Sequence, residues 1–158
     1  MLNGQKERDA YYMRLAIKEA ESAFEKEEVP IGAVIVDKKA VIGRAHNQTR
    51  LLKDPTAHAE MLAITQACEA LGEGRLPETT LYVTLEPCPM CVGAMIHARI
   101  GRLVFGAREP KTGACGSVVN LLADGEWNHR FKVQEGLLEF ESAALLQEFF
   151  KKRRTKEI

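Results

Sequence analysis

The chain has 158 residues, 22 basic and 22 acidic side chains, four cysteines and four histidines. That length fits one domain, 1–158, which can bury a core without staples, and 46% hydrophobic with 28% charged residues is a globular rather than a disordered composition. A formal charge of zero excludes a whole-chain electrostatic pull toward nucleic acid or membrane, so any such partner has to meet a local patch.

No stretch reaches the ~20 apolar residues of a membrane span. The opening residues Met1–Asp9 are polar and lack the apolar centre of a secretory signal. A cytoplasmic setting is therefore expected, with reduced cysteines. Four reduced cysteines point to a metal or to catalysis before disulfides.

From Arg8 to about Lys26, residues Tyr12, Leu15, Ala16, Ala20, Ala23 and Phe24 recur near 3.6 spacing, which predicts an amphipathic helix. Ile31–Val36, the polar turn Asp37-Lys38-Lys39 and Ala40–Ala45 read as a hairpin. Asp54-Pro55-Thr56 offers a capped helix start, with the helix running from about Ala57 to Leu71 and stopped by Gly72-Glu73-Gly74. Thr79–Leu85 is a buried strand. Pro87-Cys88-Pro89 opens a helix to about Ala98, and Arg102–Ala107 is the next strand. Lys111–Ser117 is a Gly-rich loop. A last strand is expected at Val133–Leu138 and a last helix at Ser142–Arg154. Strands alternating with helices imply an α/β layered fold with parallel pairings, and the first hairpin makes the sheet mixed.

Two short segments carry chemistry. His58-Ala59-Glu60 and Pro87-Cys88-Pro89-Met90-Cys91 both stand at expected helix N-termini. Cys88 and Cys91, at i and i+3, share a helix face. Two thiolates with an imidazole suit zinc, and helix N-termini stabilise thiolate charge. Cys68 lies ten residues beyond His58, roughly 15 Å along the helix, and is too far to join. Cys115 remains open as a fourth ligand. Without it the site has three protein ligands and an open position, the layout of a catalytic zinc. Glu60 is then the carboxylate placed to accept and return a proton of the attacking water. His46, His97 and His129 read as structural or surface residues.

The pattern His-x-Glu with Pro-Cys-x-x-Cys resembles the zinc nucleobase deaminases. The resemblance extends through Glu28–Val34, His46-Asn47, Asp54–Glu60, Leu81–Cys88, Gly93–Ile100, Val104–Arg108, Lys111–Ala114 and Asn128-His129-Arg130. It covers about Tyr12 to Arg154, and on these residues the chain is similar to bacterial tRNA-specific adenosine deaminases. Glu109 departs from the Asp that members often carry.

The resemblance implies a cytidine deaminase-like α/β/α sandwich around a mixed five-stranded sheet, with a catalytic core about 8–140 and a basic C-terminal helix about 141–156. It implies hydrolytic deamination of adenosine to inosine at the wobble position of tRNA, mainly arginine tRNA, by a homodimer with one Zn²⁺ per subunit. His58, Cys88 and Cys91 would hold the zinc and Glu60 would shuttle the proton. Asn47 would contact the base or its ribose, Val29 and Pro30 would line the base pocket, and the Ala59 N–H would hold the tetrahedral centre. Lys111, Arg153 and Arg154 are the expected RNA contacts. The last two lie in a run where five of six residues, 151–156, are basic. A free-base or nucleoside deaminase would share the reaction core. A non-enzymatic RNA-binding module with structural zinc would need Cys115 as fourth ligand.

Overall fold

The structure, a computed structural model, describes residues 4–156. The sheet has five strands in the order β2-β1-β3-β4-β5, where β1 is Gly32–Asp37, β2 Ala40–His46, β3 Thr80–Leu85, β4 Arg102–Ala107 and β5 Lys132–Gln134. β1 is antiparallel to both β2 and β3, whereas β3, β4 and β5 run parallel. Three long helices and one shorter one cover the sheet: α1 Gln5–Glu25, α2 Ala59–Leu71, α3 Pro89–Ala98 and α5 Glu139–Lys156, with α4 a single turn at Leu121–Asp124.

Side chains of a strand alternate between faces. Ala33, Ile35, Leu81, Val83, Leu103 and Phe105 join the core beneath α2 and α3. Val34, Val36, Tyr82 and Val104 face the opposite way and pack with Tyr12, Met13 and Ala16 of α1. Both faces are covered, so the central strands read as unbroken apolar runs rather than alternating ones. The expected three-layer α/β/α sandwich around a mixed five-stranded sheet is the observed fold.

Small residues set the layer spacing. A Cβ on Gly32 would stand 1.9 Å from the Ala16 carbonyl oxygen, and one on Gly43 would stand 2.5 Å from the Ala63 carbonyl oxygen. Helices α1 and α2 therefore rest directly on backbone, with Ala16, Ala20, Ala63 and Ala67 at the contact. Gly72 closes α2 in the left-handed region, φ 71°, and the Glu73 N–H donates back to the Cys68 carbonyl at 3.1 Å.

Several boundaries differ from the sequence reading, and one element is new; α1 already begins at Gln5, before the expected Arg8. α2 begins at Ala59 with His58 as N-cap, because the Asp54 carboxylate is engaged earlier, accepting from the Thr56 N–H at 2.8 Å and hydroxyl at 2.7 Å. β5 is three exposed residues rather than 133–138, since Gly136 (φ 84°) and Leu138 (φ 53°) turn the chain away. α5 starts at Glu139, directly after that turn. α4 has no counterpart in the sequence pattern; it is one turn held by Asn120, whose side chain accepts from the Ala123 N–H.

A polar cluster crosses the α1 face. Asp9, 2% exposed, accepts from the Tyr82 hydroxyl at 2.7 Å, Gln5 at 2.8 Å and the Arg102 guanidinium at 2.9 and 2.5 Å. Burial works to raise the Asp9 carboxyl, but the hydrogen bonds from Arg102, Tyr82 and Gln5 outweigh it and hold the group below the usual carboxylate range. Asp9→Ala is expected to cost about 3 kcal/mol in a urea titration, because Arg102 and Tyr82 lose a buried partner. With a folded value below the unfolded one of about 3.9, the stabilisation is complete above that pH and is lost as pH falls through the folded value. The stability difference between the two proteins therefore shrinks in acid.

Candidate metal centre and active site

β2 and β3 both run toward the same sheet edge, since each is antiparallel to β1. Their continuations carry His58 and Cys88 there. His58 caps α2, Cys88 caps α3, Pro89 takes the first helical position and Cys91 lies in the first turn. The His58 ring makes no cap bond to α2, and the Cys88 sulfur turns toward Cys91 in the first turn of α3. Both are thus free to point at a shared ligand.

His58 Nδ1 lies 3.6 Å from Cys88 Sγ and 3.5 Å from Cys91 Sγ, and the two sulfurs are 3.7 Å apart. Among the described residues these three form the one His/Cys/Asp/Glu group spaced to hold a metal ion. Tetrahedral bonds of about 2.3 Å to sulfur and 2.0–2.1 Å to nitrogen would separate the sulfurs by about 3.8 Å and nitrogen from sulfur by about 3.5 Å. The donor set fits those dimensions. Cys115 stays outside the group; its thiol is pushed up to about 12 by burial and then by the nearby Glu86 carboxylate, while its backbone N–H is committed to Glu86. The four-ligand alternative is therefore not the arrangement found.

The Cys91 thiol hydrogen-bonds Cys88 and brings it down to about 4 against the effect of burial, with His58 adding to the pull. Cys91 is correspondingly pushed up by that shared bond and by burial. The bond with Cys88 raises His58. Glu60, 4% exposed in the first turn of α2, is raised by burial and lies against Cys91. A buried carboxyl beside atoms spaced to hold a metal can carry a proton to and from a group bound there.

The hairpin brings the other expected residues to this edge. Its pairing of Gly32 with His46 continues outward, where the Asn47 N–H donates to the Ile31 carbonyl at 3.0 Å. Val29 (half-buried), Pro30 (buried) and Asn47 (5% exposed) thereby stand together. Ala59 is the first residue of α2, where a backbone N–H has no helical acceptor. Lys111 and, over forty residues later, the adjacent Arg153 and Arg154 line one pocket of about 350 Å³ with Phe150. None of the remaining histidines belongs to the metal-spaced group: His46 lies 3.8 Å from a Glu19 oxygen, His97 is exposed, and His129 bonds the Ile100 carbonyl.

Two carboxylates beside the site lie within the matched segments Glu28–Val34 and Leu81–Cys88, where the sequence assigns them no role. Glu28, immediately before Val29-Pro30, accepts the Arg50 and Leu51 N–H groups, each at 3.0 Å. Glu86, immediately before Pro87-Cys88, accepts three N–H groups and a hydroxyl from the segment 109–117. Burial works to raise Glu86, but the bonds from Ser117 and from the Glu109, Ser117 and Cys115 backbones bring it below its ordinary value. The only signal in the sequence is an acid adjoining an otherwise apolar, Pro-containing motif.

A family model for MafB19-like deaminases matches residues 7–154. The chain belongs to this deaminase family. The deaminase is 51% identical over 148 residues to the tRNA-specific adenosine deaminase of Bacillus subtilis (strain 168), covering 94% of this chain and 92% of the relative. It is 52% identical over 144 residues to the tRNA-specific adenosine deaminase of Agrobacterium fabrum, covering 91% and 95%. A solved structure from work on A-to-I editing by tRNA:A34 deaminases at the wobble position of transfer RNA superposes with a TM-score of 0.83 and 53% identity, covering 86% of this chain and 99% of the other. No helix among the described residues is long and apolar enough to cross a membrane.

Replacing His58, Cys88 or Cys91 by Ala is expected to abolish metal retention through gel filtration and to lower Tm, because ligation couples to folding. Cys115→Ser is expected to retain one metal per chain. Elemental analysis of the four purified proteins reads both outcomes.

Proposed function

We propose that this enzyme hydrolytically converts adenosine to inosine at the wobble position (34) of tRNA, chiefly an arginine tRNA with an ACG anticodon. The observation that carries the reading is the metal-spaced triad with a buried Glu60 beside it, in a chain half identical to tRNA-specific adenosine deaminases along 94% of its length. The cofactor is one Zn²⁺ per chain, held by His58, Cys88 and Cys91, whose two thiolates balance its charge. Bound there, zinc supplies Lewis acidity that lowers the pKa of the attacking water.

Each remaining step belongs to the chain. Glu60 takes a proton from the attacking water as the oxygen adds to C6 of the purine, and delivers it to N1. It then relays a proton to the amino group, which leaves as ammonia, so adenosine and water become inosine and ammonia. The Ala59 N–H hydrogen-bonds the oxygen added at C6. Asn47 orients the base through base or ribose contacts, and Val29 and Pro30 close the side of its pocket. An anticodon loop presents an unpaired base that enters such a pocket with little unstacking. Lys111, Arg153 and Arg154 take backbone phosphates, the local positive patch that a neutral chain needs.

The whole chain acts as one catalytic domain in the cytoplasm, with the basic end of α5 as part of the substrate surface. The homodimer follows the resemblance, and the partly buried apolar side chains Met61, Leu62, Ile64 and Ile96 of α2 and α3, which pack against the core, keep some surface for such a contact.

Glu60→Gln is expected to keep its zinc and to lose at least about 10³-fold in inosine formation on tRNA. Primer extension or nucleoside analysis of the wobble position reads the activity, with free adenosine, cytosine and guanine assayed beside it. Turnover of a free base with the tRNA untouched would transfer the same site to nucleobase salvage. A zinc-replete, active Glu60→Gln protein would remove Glu60 from the mechanism.

A further inference from the structure

The segment 109–117 leaves β4 and passes over the end of β3, and its inward polar groups converge on one side chain. The Glu109 N–H donates to Glu86 Oε1 at 3.1 Å, and the Cys115 and Ser117 N–H groups donate to Oε2 at 3.0 and 3.1 Å. The Ser117 hydroxyl donates to Oε1. Glu86 is 2% exposed. The approach is close enough that a Cβ on Gly113 would stand 2.4 Å from the Glu86 carboxylate and 2.5 Å from the Glu109 carbonyl oxygen.

The same residue is anchored from behind. Its own N–H donates to the Ala107 carbonyl at 2.8 Å, and the Ala114 N–H donates to the Pro87 carbonyl at 2.8 Å. Glu86 thus joins the ends of β3 and β4 to the loop. On the loop's outer side, exposed Lys111 faces the pocket shared with Phe150, Arg153 and Arg154. A second pocket, of about 420 Å³, continues from there past Glu109 to Leu85 and Ala107 at the strand ends.

A buried carboxylate is a costly way to fill space, and an apolar side chain packs the same volume without desolvating a charge. What the carboxylate uniquely offers is four acceptor sites for donors arriving from separate points of one loop. We infer that Glu86 is a positioning residue for tRNA recognition: it fixes the segment 109–117 so that Lys111 is presented to the RNA together with Arg153 and Arg154. The inference rests on the proposed tRNA substrate. Cys88 and Cys91 have an anchor apart from the Glu86 hydrogen bonds, the first turn of α3, where the Val92 N–H donates to the Cys88 carbonyl at 3.0 Å.

The test uses zinc-loaded full-length Glu86→Gln, Ser117→Ala, Lys111→Ala and the two double variants with Lys111→Ala. Zinc content, kcat and KM for inosine formation, and tRNA affinity by fluorescence anisotropy are read on each. Glu86→Gln is expected to raise KM and Kd for tRNA about ten-fold or more, as a displaced positioning contact does, with kcat within about three-fold and zinc unchanged. Ser117→Ala, which removes one of the four hydrogen bonds, is expected to move the same constants by a smaller factor. Combined with Lys111→Ala, either change is expected to add little, because both act through one contact. Effects that multiply fully in the double variants, or a loss of zinc or kcat with KM unchanged, would overturn the positioning role. If Glu86→Gln does not fold, the Ser117→Ala cycle decides the same question. An unaltered protein that binds tRNA but forms no inosine would instead overturn the substrate reading, and the affinity cycle still decides Glu86.

Discussion

Strand direction decides where the chemistry can be. β2, β3 and β4 all point the same way because β1 lies antiparallel between the first two. Three chain segments therefore leave the sheet at one edge: the loop to His58, the turn to Cys88 and the segment that carries Lys111. β1 enters from that same edge and brings Val29 and Pro30 with it. Two helices then begin where the strands end, so their free N–H groups and positive dipole ends lie beside the thiolates. Ligands binding outside the carboxyl ends of strands is a general property of open α/β sheets. Here the first hairpin extends it by adding a fourth approach.

Holding this edge open to a substrate requires its loops to be shaped without a hydrophobic core of their own. Glu28 and Glu86 supply that shape. Each is buried, each directly precedes a site segment, and each gathers backbone N–H groups from a distant loop. The carboxylates thereby satisfy loop N–H groups that no secondary-structure ladder takes up. Asp9 does comparable work on the opposite face, tying α1 to β3 and β4 through Tyr82 and Arg102. Buried acids in this chain thus connect elements that apolar packing alone would leave free to slide.

The layer architecture is legible in the sequence because it follows from local periodicity. Apolar strand runs, the hairpin turn and the Gly72 stop each state their geometry within a few residues. The metal-spaced cluster is legible for a different reason: cysteines spaced i, i+3 at a helix start have one shared target, and among the described helices α2 opens on the matching donor His58. What stays hidden depends on distance in sequence. Nothing near Glu86 announces that residues 109, 115 and 117 converge on it, since those partners are over twenty positions away. The length of β5 is overstated by the apolar pattern of 133–138, which continues past Gly136, where the backbone turns. The one-turn α4 lacks the length over which periodicity becomes visible.

The C-terminal helix shows how a neutral protein makes a basic surface without weakening its core. Phe149 is 4% exposed and packs edge-on against Phe24 of α1 at 6.0 Å. Lys152 lies 5.0 Å over the Phe24 ring and Arg153 5.5 Å over the Phe149 ring. The aromatic pair thus anchors the helix, and its π faces hold two of the cations that follow. Lys156 pairs with Glu27, and Phe150 and Arg154 line the pocket with Lys111, which Arg153 also reaches. Five basic residues at one helix end would repel one another if they stood in a row. Placing four of them, Lys152, Arg153, Arg154 and Lys156, between ring faces, an acidic partner and an open pocket relieves that repulsion. It leaves positive charge concentrated where the strand ends open, which is where an anionic substrate has to arrive.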